Sequence, residues 1–342
     1  MYKNWWKILG AVLVVYSSIA GIAIPLRPGI ENISYDKLSP NQNLEVTVNG
    51  YNTLFSEDGK SLKFYLQDET ELLPATQVQA INNQLAKVTF ALPASFHNST
   101  LHLIGTGEQD GVISLSEAVI VDQAMVDRDK VLRKDELNID QTEPKNFSFP
   151  YKQNLYETIR NLFFHVPMWF AMIVLFSVSV FYSIRVLSTN SEVDDLKAVQ
   201  SVNVGVLFGI LGIVTGAIWA KFTWGQAWSF DVKQNFAAIA LLLYFAYLVL
   251  RNAIDEEQKR AKIAAIYNIF AFPMMVVLLF VLPRLSDSLH PGNGGNPGFN
   301  SYDLDSHMRL VFYPACLGWI LVGYWIYTLL FRVRLLEKNN TL

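Results

Sequence analysis

The sequence predicts a helical membrane protein: membrane all-α, with six transmembrane helices and a small β-sandwich of immunoglobulin-like type inserted between the first two. Two observations carry this. Apolar runs long enough to cross a bilayer occur once before residue 27 and repeatedly after residue 160. The stretch between them, about residues 28–155, has the composition of an ordinary water-soluble domain and strand-like alternation. Averaged over 342 residues, 51% apolar and 17% charged, the split is hidden. The formal net charge of −3 gives no basic footprint, so nucleic acid is set aside as a partner. The single cysteine, Cys316, lies in an apolar run and allows no disulfide or Cys-based metal site within one chain.

The first span covers about residues 5–26. It resembles a signal peptide in charge and length, but its exit through Ile22-Ala23-Ile24-Pro25-Leu26 is a poor cleavage site, so an uncleaved anchor is expected. The second covers about 162–184. The third, about 202–220, carries Gly205, Gly209, Gly212 and Gly216, whose spacing permits close helix–helix approach. The fourth, about 236–250, is short unless 227–235 extends it. The fifth runs over about 263–282 and the sixth over about 310–331.

Basic residues set the orientation. Lys3, Lys7, Arg185, Lys197, Arg251, Lys259, Arg260, Lys262, Arg332, Arg334 and Lys338 flank the spans on one side; Lys221, Lys233, Arg284 and Arg309 flank them on the other. Both termini are therefore expected in the cytoplasm, with 28–155 outside, in the periplasm if the membrane is a bacterial inner membrane. The expected division is a first helix over 1–27, a β-rich domain over 28–126, a charged tether over 127–155, a five-helix domain over 156–335 and a tail over 336–342.

Within the β-rich domain, Leu44-Glu45-Val46-Thr47-Val48 and Leu62-Lys63-Phe64-Tyr65-Leu66 are period-two runs. Strands are also expected over 88–92, 100–104 and 118–121, with Asp58-Gly59 and Asp110-Gly111 as turns. Strands at this spacing suggest a small sandwich. No chemistry stands out in it; His97 and His102 read as surface histidines, and the domain reads as a docking or spacer module.

The connection between the third and fourth spans is the most unusual segment. Trp219-Ala220-Lys221-Phe222-Thr223-Trp224-Gly225-Gln226-Ala227-Trp228-Ser229-Phe230-Asp231 holds three Trp, two Phe and one Asp in thirteen residues. An interfacial aromatic belt accounts for one or two Trp, not for this density. If the segment is helical, Trp224, Trp228 and Asp231 share a face suited to a flat conjugated ligand with polar edges. Three histidines lie near the same ends of spans: His165, His290 and His307. An imidazole in the apolar run around His165 is costly without a partner. His290 precedes the glycine-rich loop 292–298. Two neutral imidazoles on either side of an aromatic platform can supply axial ligands to a haem iron, or each can cap a helix or meet water. His307, near Arg309, reads as interfacial.

The run Gly216-Ala217-Ile218-Trp219-Ala220-Lys221 followed by Trp224-Gly225-Gln226-Ala227-Trp228-Ser229-Phe230-Asp231 resembles the tryptophan-rich signature of haem-handling proteins of cytochrome c biogenesis, and most closely the CcmC family of the system I pathway. Phe164-His165-Val166-Pro167, Leu289-His290 and the helix over 242–251 add to the resemblance, which covers about 155–335 and the first span. It implies haem b held transiently at the outer face, with His165 and His290 as ligands to the iron. Trp219, Trp224, Trp228, Phe230 and Asp231 would form the platform. It further implies delivery to a periplasmic haem chaperone of the CcmE type, assisted by ABC transporter subunits of the CcmA/CcmB type. Phe230 stands where the family commonly has Trp, which loses an indole N–H. Val232-Lys233 replaces a common Pro-Arg, keeping charge without bidentate geometry. Lys221, Lys233, Arg284 and Arg309 are the candidate propionate contacts.

Two other functions fit less of the sequence. A thioether-forming cytochrome c synthase shares the aromatic motif but tends to have more spans and more outward histidines. A b-haem subunit of a respiratory complex places His within span interiors. No Ser-His-Asp set, paired-carboxylate site or phosphate-cradling loop is present, so a binding and transfer protein is expected rather than an enzyme.

Overall fold

The computed structural model describes residues 4–36, 38–130, 147–290 and 304–340. Lys3, most of the tether, the segment 292–298 and the last two residues of the tail lie outside the described residues. The chain forms two compact units, Met1–Ala23 with Thr158–Leu342, and Ile24–Glu157.

Among the described residues the first unit contains six α-helices: α1 Trp5–Ala23, α2 Leu162–Thr189, α3 Glu192–Trp224, α4 Val232–Asn252, α5 Glu257–Val276 and α6 Ser306–Asn340. Among the described residues, six helical stretches are long and apolar enough to cross a membrane, as the sequence predicts. Several exceed their expected lengths. α3 starts ten residues before the expected span because Ser191 caps it, its Oγ accepting from the Asp194 amide at 3.2 Å. Glu192, Asp194 and Asp195 then place negative charge in the first turn, where the helix dipole favours it. The fourth span reaches back only to Val232, not to 227.

α2 and α3 pack through a ladder of glycines. A Cβ at Gly205 would meet Phe176, at Gly209 Leu241 and Met172, at Gly212 Trp169 and at Gly216 His165, all within 3.0 Å. The α2 residues step back by four, three and four as the glycines step forward by the same intervals, so one face of α2 seats in successive notches of α3. The sequence shows the close approach; the ladder adds that its last rung carries a histidine. Lower down, Ser201 Oγ donates to the Leu175 carbonyl at 2.6 Å. The buried Asn268 of α5 donates to Ser179 and Ser183 of α2 at 2.7 and 2.8 Å.

At the end of the bundle that holds the α3 N-terminus, charges knit four helices. Arg251 of α4 makes a bidentate pair with Asp195, 2.7 Å on each arm, and is only 8% exposed. Removing either partner strands a buried charge at a cost of roughly 3–5 kcal/mol. Lys338 of α6 reaches Glu192 at 2.7 Å and Glu257 at 3.3 Å. At the opposite end, Arg160 donates to the Gly21 carbonyl of α1 at 2.9 Å. α5 leaves its regular geometry there. It opens into a π-helical turn, Val277–Val281, and then tightens into a 3-10 turn, Leu282–Leu285. Pro283, which has no N–H to continue an α-helix, is buried within the tight turn.

The second unit is a sandwich of two four-stranded antiparallel sheets: β1 Gly29–Tyr35, β2 Asn43–Tyr51, β6 Leu85–Ala91 and β5 Gln77–Ala80 in one, in the order β1-β2-β6-β5; β4 Glu71–Pro74, β3 Lys63–Asp68, β7 Thr100–Gly107 and β8 Gly111–Ile120 in the other, in the order β4-β3-β7-β8. This order is the A-B-E-D and C′-C-F-G arrangement of an immunoglobulin-like sandwich. Inward residues of both sheets, among them Val46, Val48, Phe90, Phe64, Leu66 and Leu103, share one core. The five strands read from the sequence are all present. β4 and β5 have four residues each, too few to show alternation, and β1 is largely polar. Asp58-Gly59 is not a simple turn but the junction of a helical turn, Phe55–Asp58, with a tight turn, Gly59–Ser61. Asp110-Gly111 does close the β7–β8 hairpin, where Gly107 pairs with Gly111.

Asp110 is buried, and both of its oxygens accept from the Leu54 amide, at 2.9 and 3.0 Å. Burial pushes its carboxyl up to about 6; the Leu54 amide opposes this, and the charges of Asp58 and Glu57 add to it. A carboxyl raised in the folded state favours folding below its unfolded value and loses that contribution as pH rises through about 6. The β unit is therefore expected to be about 1 kcal/mol more stable near pH 5 than near pH 7.5. Calorimetry of the chain in detergent checks this, and Asp110→Asn should remove the difference.

Candidate functional site

The aromatic segment is not one helix. α3 stops at Trp224 because Gly225 takes φ +80°, a left-handed conformation that favours glycine. The Lys221 ammonium donates to the Gly225 carbonyl at 2.9 Å and helps close this end. Residues 225–231 then form an irregular connection, and α4 begins at Val232. Trp224, Trp228 and Asp231 accordingly do not share a helix face, and the conditional helical reading is corrected. Gln234 shapes the connection: its Oε1 accepts from the Ser229 amide and hydroxyl at 3.0 and 3.1 Å, and its Nε2 donates to the Ala227 carbonyl at 3.3 Å. Phe230, at φ +57°, is held by Asn235 Nδ2 donating to its carbonyl at 2.8 Å. That bend turns the next residue, Asp231, inward.

Asp231 is 7% exposed and is an anchor rather than part of an outward platform. It caps α4, with Oδ1 accepting from the Lys233 amide at 2.9 Å. The same carboxylate accepts from the Ser288 hydroxyl at 3.0 Å, the Leu289 amide at 2.7 Å and His290 Nδ1 at 2.8 Å. Burial alone would raise this carboxyl; the Leu289 and Lys233 amides, His290 and Ser288 outweigh it and hold it below its ordinary value. His290 is lowered, first by burial and further by Lys233, against the pull of Asp231. An ionised Asp231 beside a neutral imidazole leaves one tautomer. Nδ1–H donates to the carboxylate, and Nε2 keeps its lone pair.

The ring of His290 rests on the aromatic segment. Its centroid lies 4.8 Å from that of Trp224 and 5.8 Å from that of Trp219, and the two indoles are 4.9 Å apart, edge to face. Trp228 is half-buried in the connection, outside this cluster. Phe230 is 77% exposed, as is Phe222.

His165, in the first turns of α2, sits on the Gly216 notch, where a Cβ would lie 2.7 Å from Cε1. Its Nδ1 is 3.1 Å from Thr215 Oγ1, and the Thr215 hydroxyl already donates to the Leu211 carbonyl at 2.8 Å. Nδ1 therefore carries the proton. Nε2 accepts from the indole N–H of Trp169 at 3.3 Å. Both histidines thus hold the same tautomer, fixed by a second group at Nδ1, as metal-binding imidazoles commonly are. They lie within electrostatic reach of each other. His165 leans on Gly216 and His290 on Trp219, three residues along α3, which is about 4.5 Å of rise.

Among the basic residues, Lys233 stands close enough to His290 to disfavour its charging. Arg284 is exposed on the 3-10 turn that leads to the His290 loop. Arg309, in the first turn of α6, has its Nε buried without a hydrogen-bond partner among the described residues. His307 is half-buried in the same turn. Sequence reasoning missed Thr215, Trp169, Gln234 and Ser288. Trp169 was visible as i+4 from His165 on one helix face, and Gln234 bonds residues only five and seven positions before it; Thr215 and Ser288 act through contacts 50 and 57 residues away that no spacing reveals.

Asp231→Ala removes the acceptor for the Leu289 amide, the Ser288 hydroxyl and His290 at once. Hydrogen bonds to a charged acceptor contribute about 1.5–3 kcal/mol each, so amide exchange at Leu289 should accelerate at least about tenfold while the interior of α4 is unchanged. Exchange at the parent rate would show that the loop is held by other contacts.

Comparison with known proteins identifies the family. The family model described as "CcmC: Heme exporter protein C" matches residues 146–341, more than half of the chain. Among curated proteins the chain is similar to Heme exporter protein C of Bradyrhizobium diazoefficiens, 25% identical over 147 residues, 43% of this chain and 56% of that protein. It is similar to Heme exporter protein C of Paracoccus denitrificans at 25% over 142 residues, 42% and 58% of the two chains. A Synechococcus protein named Cytochrome c biogenesis protein CcsA is 39% identical over 83 residues, 24% of this chain and 27% of that one. The chain thus spans about half the length of the first two relatives and about a quarter of the third. A multi-pass membrane protein with a tryptophan-rich connection between two histidine-bearing segments, it belongs to the CcmC family of cytochrome c biogenesis and haem handling.

Proposed function

We propose that the chain holds haem b transiently between His165 and His290 at the outer face of a bacterial inner membrane and hands it to a periplasmic haem chaperone of the CcmE type, working with ABC transporter subunits of the CcmA/CcmB type. The observation that carries this is the pair of imidazoles, each locked by an Nδ1 partner and set against consecutive turns of α3. Neutral Nε2 atoms are the form a metal takes up. Trp219 and Trp224 supply flat apolar surface beside His290. Lys221, Lys233, Arg284 and Arg309 are the candidate cations for the propionates; the Lys221 ammonium spends one of its three donors on the Gly225 carbonyl. In this reading both termini are cytoplasmic, and the β unit, on the periplasmic side, is a docking or spacer module. The chain makes and breaks coordination bonds to its cargo but forms no covalent product.

Similarity to proteins named CcsA favours a second reading, the membrane part of a cytochrome c synthase. Incubating the haem-loaded chain with an apocytochrome peptide bearing paired cysteines separates the two; a thioether adduct by mass spectrometry supports the synthase.

Replacing either His165 or His290 with Ala should convert a low-spin haem spectrum of the purified chain to high spin or abolish haem retention. An unaltered spectrum in both variants would remove them as ligands. Lys233→Glu should reduce the haem retained through purification, and full retention would count against a propionate contact there.

A further inference from the structure

The two histidines are not equivalent, and the difference lies at Nε2. The Asp231 carboxylate grips His290 from Nδ1, which increases the basicity of the opposite nitrogen. His165 has only a hydroxyl at Nδ1, and that hydroxyl is itself committed to a main-chain carbonyl. At Nε2, His165 accepts the indole N–H of Trp169 at 3.3 Å, one turn along the same helix. A lone pair that receives a proton donor cannot at the same moment bind an iron. For His165 to take up iron the indole N–H must turn away, against the packing of its ring in the Gly212 notch, where a Cβ would come within 2.8 Å of the indole. The rings of His165 and Trp169 stand edge to face, 6.1 Å apart at 82°, and the hydrogen bond aims the indole N–H at Nε2.

We infer that Trp169 is a positioning residue that competes with the haem iron for Nε2 of His165, making His165 the weaker, first-released ligand and His290 the retained one. This rests on the haem-ligand reading above. The chemistry balances simply: one Fe–N coordination bond breaks as one N–H···N hydrogen bond forms, with no proton or electron transferred. A transfer protein gains from such a competitor, because it lowers the barrier to handing on its cargo without reducing the hold of the second ligand. Loss of packing at Trp169 would loosen haem, whereas loss of the competing N–H should tighten it; the two effects have opposite signs.

The test compares Trp169→Phe, which keeps an aromatic ring in the Gly212 notch but removes the donor, with the parent and with His165→Ala. Each is loaded with haem, and the rate of capture by excess apomyoglobin is followed. Trp169→Phe should release haem about two- to tenfold more slowly than the parent, the factor one neutral hydrogen bond supplies. Equal or faster release overturns the inference. His165→Ala reports on the underlying reading separately: if its spectrum matches the parent, the ligand assignment itself fails. If Trp169→Phe does not fold, the indole proton–nitrogen resonance of Trp169 in the parent, before haem is added, serves instead. It should move on His165→Ala, and a resonance that stays put shows that no such hydrogen bond exists.

Discussion

One carboxylate organises the site. Asp231 begins α4, accepts the amide and hydroxyl of the loop after α5, and orients His290, with partners 57 to 59 residues away in sequence. A buried carboxylate is tolerated only when its oxygens are satisfied, and here the helix start and the loop supply what it needs. The backbone of the aromatic segment follows from that requirement. Two left-handed residues, Gly225 and Phe230, break the helix and turn Asp231 inward. The Trp side chains are left to pack on the imidazole that Asp231 holds.

The second constraint is the α3 helix, which acts as the spine of the membrane unit. Its glycines receive α2 in a ladder whose last rung is His165, and one turn further on Trp219 receives His290. Placing both imidazoles against one helix fixes their separation better than two independent loops would. The far end of α3 is pinned by Asp194 and Asp195, paired with Arg185 and Arg251. Those two arginines are also among the basic residues from which the sequence leads one to expect cytoplasmic termini. Here they serve the fold.

Much of this was legible in the sequence because the signals are dense and local. Apolar length gave six spans, period-two alternation gave five of the eight described strands, and turn residues placed the β7–β8 hairpin. His165, His290, Trp219 and Trp224 stood out because such residues are costly or unusual where they lie. What could not be read depends on tertiary contact. Asp231 looked like a platform residue, since nothing in its neighbourhood announces a partner at Ser288. That Lys221 would give one of its donors to the Gly225 carbonyl at the end of α3 was not read either. Trp169 sat in plain view four residues after His165, but only the side-chain geometry shows its N–H aimed at the ring. The short edge strands β4 and β5 leave no periodic trace at four residues each.

The central claim is that two differently supported imidazoles meet one iron. Electron paramagnetic resonance of the ferric haem-loaded parent chain tests it most directly, because the spin state reports the axial ligands without any mutation. A low-spin rhombic signal of the bis-imidazole type is the result this account predicts. A dominant axial high-spin signal would contradict it, showing that at most one of the two histidines binds the iron.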